Sequence, residues 1–192
     1  LSNSTGTVQV QQIIPNILSP NILALEFIPT TSNIVFSCKQ TNGLYSLRVL
    51  NLSLSQTSFI LQTDLNVLST IEYNSFDDKI YGGSSSSNLL SIFQLPSTQS
   101  TLNVGQPIYD IAVDLITGYL WICSNNSTII VTDGTSIIQT ISLGDSSATI
   151  TKLTYDANTQ LIVALDVSGT VTRVWVIDSA SYTVYNPYTL SA

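Results

Sequence analysis

Histidine and methionine are absent from this 192-residue chain. Without histidine there is no imidazole base, no Ser-His-Asp arrangement, and no access to the commonest zinc ligand. Cysteine occurs twice, at Cys38 and Cys123, which is too few for a disulfide framework. Two buried free thiols are the expectation and a single bridge the alternative. Charge is scarce as well. Charged residues make up 9% of the chain, against roughly 25% in an ordinary soluble domain. Twelve carboxylates and five basic residues leave a net charge of −7. The basic residues, Lys39, Arg48, Lys79, Lys152 and Arg173, are scattered and form no cluster. A nucleic-acid binder needs a basic patch to displace phosphate counterions, and a peripheral membrane protein needs one to meet anionic lipid. Both classes are therefore excluded as expectations. No apolar run approaches the ~20 residues that span a bilayer. The opening residues carry no initiator methionine, and no signal peptide is expected among them. The opening Leu1-Ser2-Asn3 reads as a processed mature chain or an excerpt of a longer one.

Serine, threonine and asparagine fill the place of charge, and hydrophobic residues make up 44%. Hydroxyl and amide groups solvate a surface without charging it, a bias common in secreted and cell-surface β-proteins. An extracellular or cell-surface location is the expectation. The length suits one domain with a real core.

An internal repeat organises the chain. Four segments align without gaps over fourteen positions: 22–35 (ILALEFIPTTSNIV), 68–81 (LSTIEYNSFDDKIY), 108–121 (IYDIAVDLITGYLW) and 150–163 (ITKLTYDANTQLIV). Their starts lie 46, 40 and 42 residues apart. Leu25, Ile71, Ile111 and Leu153 share a column, and Phe27, Tyr73, Val113 and Tyr155 follow two residues later on the same strand face. A polar turn intervenes, and apolar residues return at Ile34, Ile80, Leu120 and Ile162, then Val35, Tyr81, Trp121 and Val163. Strand, tight turn, strand is a hairpin. Third strands are predicted near 44–51, 88–95, 128–133 and 170–178. Weaker fourth strands are predicted near 57–62, 98–103, 136–142 and 181–186, with Gly- and Ser-rich runs such as 82–87 separating strands. No stretch of ten residues or more carries a helical period.

Four strands per ~40–45 residues, repeated, is the pattern of β-propeller blades. The fold expected is all-β, a propeller of four blades of about four antiparallel strands, with blades near 20–64, 65–105, 106–147 and 148–190. A sandwich or jelly roll is the alternative. The third repeat, IAVDLITGYLWICSNN, and the fourth, LTYDANTQLIVAL, resemble the blade signature of the YVTN and NHL class of β-propellers. Asp114 or Asp156 closes the first strand, and in the third repeat the turn passes through Gly118 before Leu120-Trp121. Ile28 and Asn74 replace that aspartate in the first two repeats. The resemblance implies the fold and little about function.

Residues 7–14 (TVQVQQII) read as a surplus strand within an N-terminal extension of 1–15, ahead of the propeller domain of 16–192. Such a strand completes a preceding blade, clasps the ring shut, or pairs with a neighbouring subunit. A larger or partner-completed ring is favoured over a closed four-blade ring, because an open ring leaves apolar end faces that need cover.

Site candidates are few, and none is catalytic or cofactor-binding. Asn3, Asn51, Asn125 and Asn126 begin N-x-[ST] glycosylation patterns, which also arise by chance in an Asn- and Ser-rich chain. Asn126 and Asn51 are the preferred acceptors. Asp77 and Asp78 are the one adjacent acidic pair. Turn capping explains them without a metal, and calcium is the weaker reading. Glu26 and Glu72 share a repeat column and point to a channel or a blade joint. Tyr182, Tyr185 and Tyr188 are candidates for edge-strand packing or for a contact surface. Trp121 and Trp175 are expected between blades. The functional expectation is a non-enzymatic extracellular structural or binding module, such as part of a surface layer, filament or adhesive complex. Its partners would be other protein subunits, identical copies among them, or glycans, with no nucleic acid and no membrane insertion. A hydrolase or lyase using carboxylates and calcium, and a ligand-binding ectodomain of a sensor or receptor, are the rivals.

Overall fold

A computed structural model describes residues 21–40, 43–52, 56–63, 67–94, 98–169 and 171–190. These residues form sixteen strands and no helix. The strands fall into four antiparallel four-stranded sheets, each a meander in chain order. Blade 1 holds β1 (Asn21–Ile28), β2 (Asn33–Lys39), β3 (Tyr45–Asn51) and β4 (Gln56–Thr63). Blade 2 holds β5 (Thr70–Asn74), β6 (Lys79–Ser84), β7 (Ser87–Gln94) and β8 (Thr98–Asn103). Blade 3 holds β9 (Asp110–Val113), β10 (Leu120–Cys123), β11 (Thr128–Thr132) and β12 (Ile137–Ser142). Blade 4 holds β13 (Ile150–Asp156), β14 (Leu161–Ser168), β15 (Val171–Asp178) and β16 (Tyr188–Leu190). The architecture is the four-blade β-propeller arrangement that the repeat predicts. The surplus strand at 7–14 lies outside the described residues.

Strand periodicity explains the packing. Alternate residues face opposite sides of a sheet, and an inner blade has a neighbour on both sides. Its strands are therefore apolar on both faces, as in LWIC of β10, which is buried throughout. Three hydrophobic clusters fill the three joints. Val35, Leu47 and Val49 of blade 1 meet Ile71, Tyr73 and Ile80 of blade 2. Tyr81 and Leu90 meet Ile108, Ile111, Leu120 and Ile122 across the second joint. Trp121, Cys123 and Val131 meet Ile162, Ala164 and Trp175 across the third. Both tryptophans thus lie between blades, and both cysteines are buried and free.

The first turn of every repeat places the same column in the left-handed region: Ser32 (φ 54°), Asp78 (56°), Gly118 (74°) and Gln160 (58°). Only one is glycine, so the other three carry a cost of about 1–2 kcal/mol each. The residue four positions earlier offsets part of it. Asp114 Oδ1 accepts from Ile116 N at 2.9 Å, and Asp156 Oδ1 from Asn158 N at 3.0 Å. Asn74, which departs from the aspartate pattern, does the same for Phe76 N at 2.9 Å. Ile28 has no acceptor to offer and is buried instead.

Two local expectations need correction. The outer strand of blade 4 is Tyr188–Leu190, not 181–186. Asp178 caps the backbone of Ala180 and Ser181, Tyr182 adopts a left-handed φ of 58°, and Val184 makes one isolated bridge to Ile177. The 82–87 run is not a spacer. Gly82, Gly83 and Ser84 end β6, and Ser87 begins β7. A Cβ on Gly83 would stand 2.1 Å from Ile108 Cγ2, so blade 3 approaches too closely for any side chain there.

Candidate functional site: the carboxylates of the inner strands

The first strands of successive blades pack on one another in order, β1 on β5, β5 on β9, β9 on β13. They carry Glu26, Glu72, Ala112 and Thr154 in one repeat column. Residues of this parity face the following blade, as Ala112 does in the third joint. Glu72 is partly buried there. Burial raises its pKa to about 8, and the charges of Glu26 and Asp110 add to the rise. Burial raises Glu26 as well. Glu72, Ile111, Ala112, Leu153, Thr154 and Tyr155 line a groove of about 210 Å³ between blades 2, 3 and 4.

Asp110 ties the same three blades. It accepts from Thr70 Oγ1 at 3.1 Å, from Leu153 N at 3.0 Å and from Lys152 Nζ at 3.4 Å. Blade 4 has its own polar core. Asp166, fully buried, accepts from Thr149 N, Trp175 Nε1 and Arg173 Nε at 2.8, 3.1 and 2.8 Å. Arg173 also pairs with Asp145. These donors hold Asp166 below the usual carboxylate range against its burial. Arg173 borders a recess of about 410 Å³ with Ser147, Thr149 and Ser168. Two carboxylates already share its guanidinium, so it offers an anion little net charge.

The chemistry available is narrow. A pKa near 8 favours the protonated form of Glu72 at neutral pH, so its carboxyl can donate a hydrogen bond to a group placed in the groove. The Cys123 thiol is not poised for attack: burial, and then Asp110, push it up to about 12. Among the described residues no group of three or more Cys, Asp or Glu is arranged to hold a metal ion.

Of the residues singled out from sequence, Glu72 lines this groove, and the acidic pair, the tyrosines and the sequon asparagines do not. Asp77 accepts from Tyr81 Oη at 2.6 Å and pairs with Lys79 at 3.0 Å, while Asp78 accepts from Tyr73 Oη at 2.7 Å. The adjacent carboxylates thus serve two different tyrosines. Tyr182 packs on Trp121 with the rings tilted at 43° and centroids 5.7 Å apart, and Tyr185 and Tyr188 are exposed. Asn51 ends β3. Asn125 is exposed, whereas Asn126 donates its Nδ2 to Gln106 Oε1 at 2.6 Å and accepts from Thr128 N. The side-chain nitrogen of Asn126 is thus engaged in the fold, whereas Asn125 is exposed. Asn3 lies outside the described residues. Sequence reading missed Asp110, Asp166 and Arg173. Their one signal was an acidic or basic residue on an otherwise apolar blade face.

No family model matches the sequence, and no curated protein does. Among solved structures, the chain is similar to one titled hydrazine synthase, from Kuenenia stuttgartiensis, with a TM-score of 0.75 at 14% identity. The match covers 96% of this chain and 53% of that one, so this chain spans about half the length of the structure it resembles. At that identity the likeness concerns the fold. Among the described residues, no helix is long and apolar enough to cross a membrane.

Proposed function

We propose that this chain is a non-enzymatic, extracellular structural or binding module, a component of a surface layer, filament or adhesive assembly. One observation carries the reading: among the described residues, the two end blades expose apolar side chains on their outward faces. Leu25 and Phe27 of β1 are 63% and 46% exposed. On blade 4, Val167, Tyr188 and Leu190 are exposed on the face turned away from blade 3. Apolar surface of this kind marks a contact with another protein surface. The low charge and the asparagine sequons support the extracellular part of the reading, and the repeat's resemblance to YVTN and NHL propellers is compatible with it. Light scattering on the purified chain tests it, with association beyond the monomer as the expected result. A strictly monomeric chain would refute it. Secretion through a glycosylating pathway is expected to add a glycan at Asn125 and leave Asn126 bare, read by mass spectrometry of the peptide.

A second reading rests on Glu72. A carboxylic acid protonated near neutrality in a groove is placed to act as a general acid, as in a propeller hydrolase or lyase. Loss of a turnover activity in Glu72→Gln, with the fold intact, would favour this reading.

A further inference from the structure

The repeat supplies its own control for the turn that joins the first two strands of each blade. One column of that turn holds Thr30, Phe76, Ile116 and Asn158. Blades 1 and 4 make the turn with a polar residue there, and blades 2 and 3 with a large apolar one. Phe76 is 65% exposed and Ile116 52%, beside Leu115 at 53%. Turn formation gives no reason for the difference, because the bond made at this column is a backbone one. Phe76 N, Ile116 N and Asn158 N each donate to the side chain two residues earlier. The apolar positions lie together. A Cβ on Gly118 would stand 2.8 Å from Phe76 Cγ, so the Phe76 ring rests on the turn that carries Leu115 and Ile116. Asn74 Nδ2 donates to Gly118 O at 2.8 Å and fixes the two turns against each other. Both blades are inner ones, so this patch is distinct from the end faces.

Charge surrounds the patch. In an antiparallel meander the first and third turns of every blade fall on one edge. That edge carries Asp77, Asp78, Asp114, Asp133, Asp156 and Asp178, and among the described residues Lys79 is its one cation. Asp114 is buried, and the other five are exposed or half-buried. Six carboxylates and one lysine give the edge −5 of the chain's net −7, and the lysine pairs with Asp77 at 3.0 Å. Capping explains the positions of these aspartates but not their charge, since the neutral Asn74 caps Phe76 N at the same 2.9 Å as Asp114 caps Ile116 N. Hydrogen bonds from Thr159 and from Ser181 hold Asp156 and Asp178 below the usual carboxylate range, so both are ionised at neutral pH.

We propose that this edge is a docking surface for a basic, amphipathic segment of a partner protein. Its apolar side chains cover Phe76, Leu115 and Ile116, and its lysines or arginines meet the surrounding aspartates. Charge complementarity selects that occupant. A second copy presenting the same edge would set −5 against −5. Residues 1–20 of the chain itself carry no lysine or arginine. Nucleic acid and anionic lipid are repelled by the same field. The apolar centre supplies affinity, while the acidic rim speeds encounter and rejects acidic partners. The proposal goes beyond the reading of the end faces and stands on different residues.

A short peptide of alternating leucine and lysine is the probe, titrated with the full chain and read by fluorescence anisotropy. Leucine–glutamate and serine–lysine peptides of the same length are the controls. Phe76→Thr and Ile116→Asn install the residues that blades 1 and 4 already carry in this column, and they leave the backbone caps in place. Circular dichroism and urea midpoints check that each variant folds. The leucine–lysine peptide is expected to bind saturably, and the double variant to weaken it about tenfold. Asp78→Asn combined with Asp133→Asn is expected to weaken it too and to flatten its dependence on salt. Neither control peptide is expected to match it. Unchanged binding in the Phe76→Thr, Ile116→Asn variant would put the peptide elsewhere and overturn the proposal. Equal binding of the leucine–glutamate peptide would remove charge as the selector, and equal binding of the serine–lysine peptide would remove the apolar patch. Absence of binding to the parent chain overturns the proposal outright. Leu25→Ser, on the outward face of blade 1, is expected to keep the peptide while reducing self-association. A chain that binds the peptide and stays monomeric therefore refutes only the reading of the end faces.

Discussion

At the scale of single residues, Glu72 couples the inner strands to pH. Its acid form is favoured in the fold, with a pKa near 8 against an ordinary 4.5. A carboxyl raised by folding contributes stability fully below its unfolded pKa, and that contribution is lost as pH rises through the folded value. Between pH 4.5 and 8 the native state therefore holds a proton that the unfolded state has released. Stability is expected to fall across that window with a limiting slope of about 1.4 kcal/mol per pH unit, and Glu26 acts in the same direction. Asp114, Asp166 and Asp178 have lowered values and oppose this only under more acid conditions. Urea midpoints at pH 5 and pH 8 should differ in the parent chain and differ much less in Glu72→Gln. An equal slope in both would remove Glu72 as the source. The residue pair Glu26 and Glu72 was visible in sequence as a shared column. Its electrostatic consequence was not, because Asp110 approaches from 38 residues away (110 − 72) and no local pattern announces it.

Among the strands, legibility followed burial. Inner hairpins carried large apolar residues at fixed columns because two neighbouring blades bury them, and the same pressure made those columns readable. Outer strands have one solvated edge and a weak pattern. Blade 4 shows the result: the aromatic spacing of Tyr182, Tyr185 and Tyr188 suggested a strand, yet the first packs on Trp121 from a turn. Gly82 and Gly83 misled for the opposite reason. Glycine in a serine run suggests a linker, but here it permits the close approach of two sheets. Replacing Gly83 with alanine would drive a Cβ into Ile108, and overpacking of this kind costs about 1–3 kcal/mol. Gly144 is a fair comparison. Its φ is +79° and nothing lies within 4 Å of an added Cβ. Gly144→Ala is expected to cost about 1–2 kcal/mol from backbone strain alone. Gly83→Ala should also loosen the second joint, seen as faster amide exchange in β9, whereas Gly144→Ala should leave β9 unchanged. If both variants leave β9 equally protected, close approach is not why position 83 is glycine.

Among the described residues, the four sheets follow one another and each blade makes its substantial contacts with its neighbours. Stability in such arrays is close to a sum of unit and joint terms, so an end blade with one joint has less holding it than an inner blade with two. Hydrogen bonding does not separate the cases. The second strands β10 and β14 are each paired on both sides, β10 with β9 and β11, and β14 with β13 and β15. What differs is cover: β10 is buried on both faces, and β14 alternates between buried and half-buried positions. Local opening of β14 therefore exposes less newly uncovered apolar area and should be easier. Amides of Leu120–Cys123 are expected to exchange most slowly. Those of Leu161–Ser168 should exchange faster, and those of Tyr188–Leu190 fastest. Raising the concentration should slow β14 and leave β10 unchanged if association covers the outward face of blade 4. Equal protection of β10 and β14 at every concentration would mean that the four blades open as one unit and that the uncovered faces have no energetic consequence.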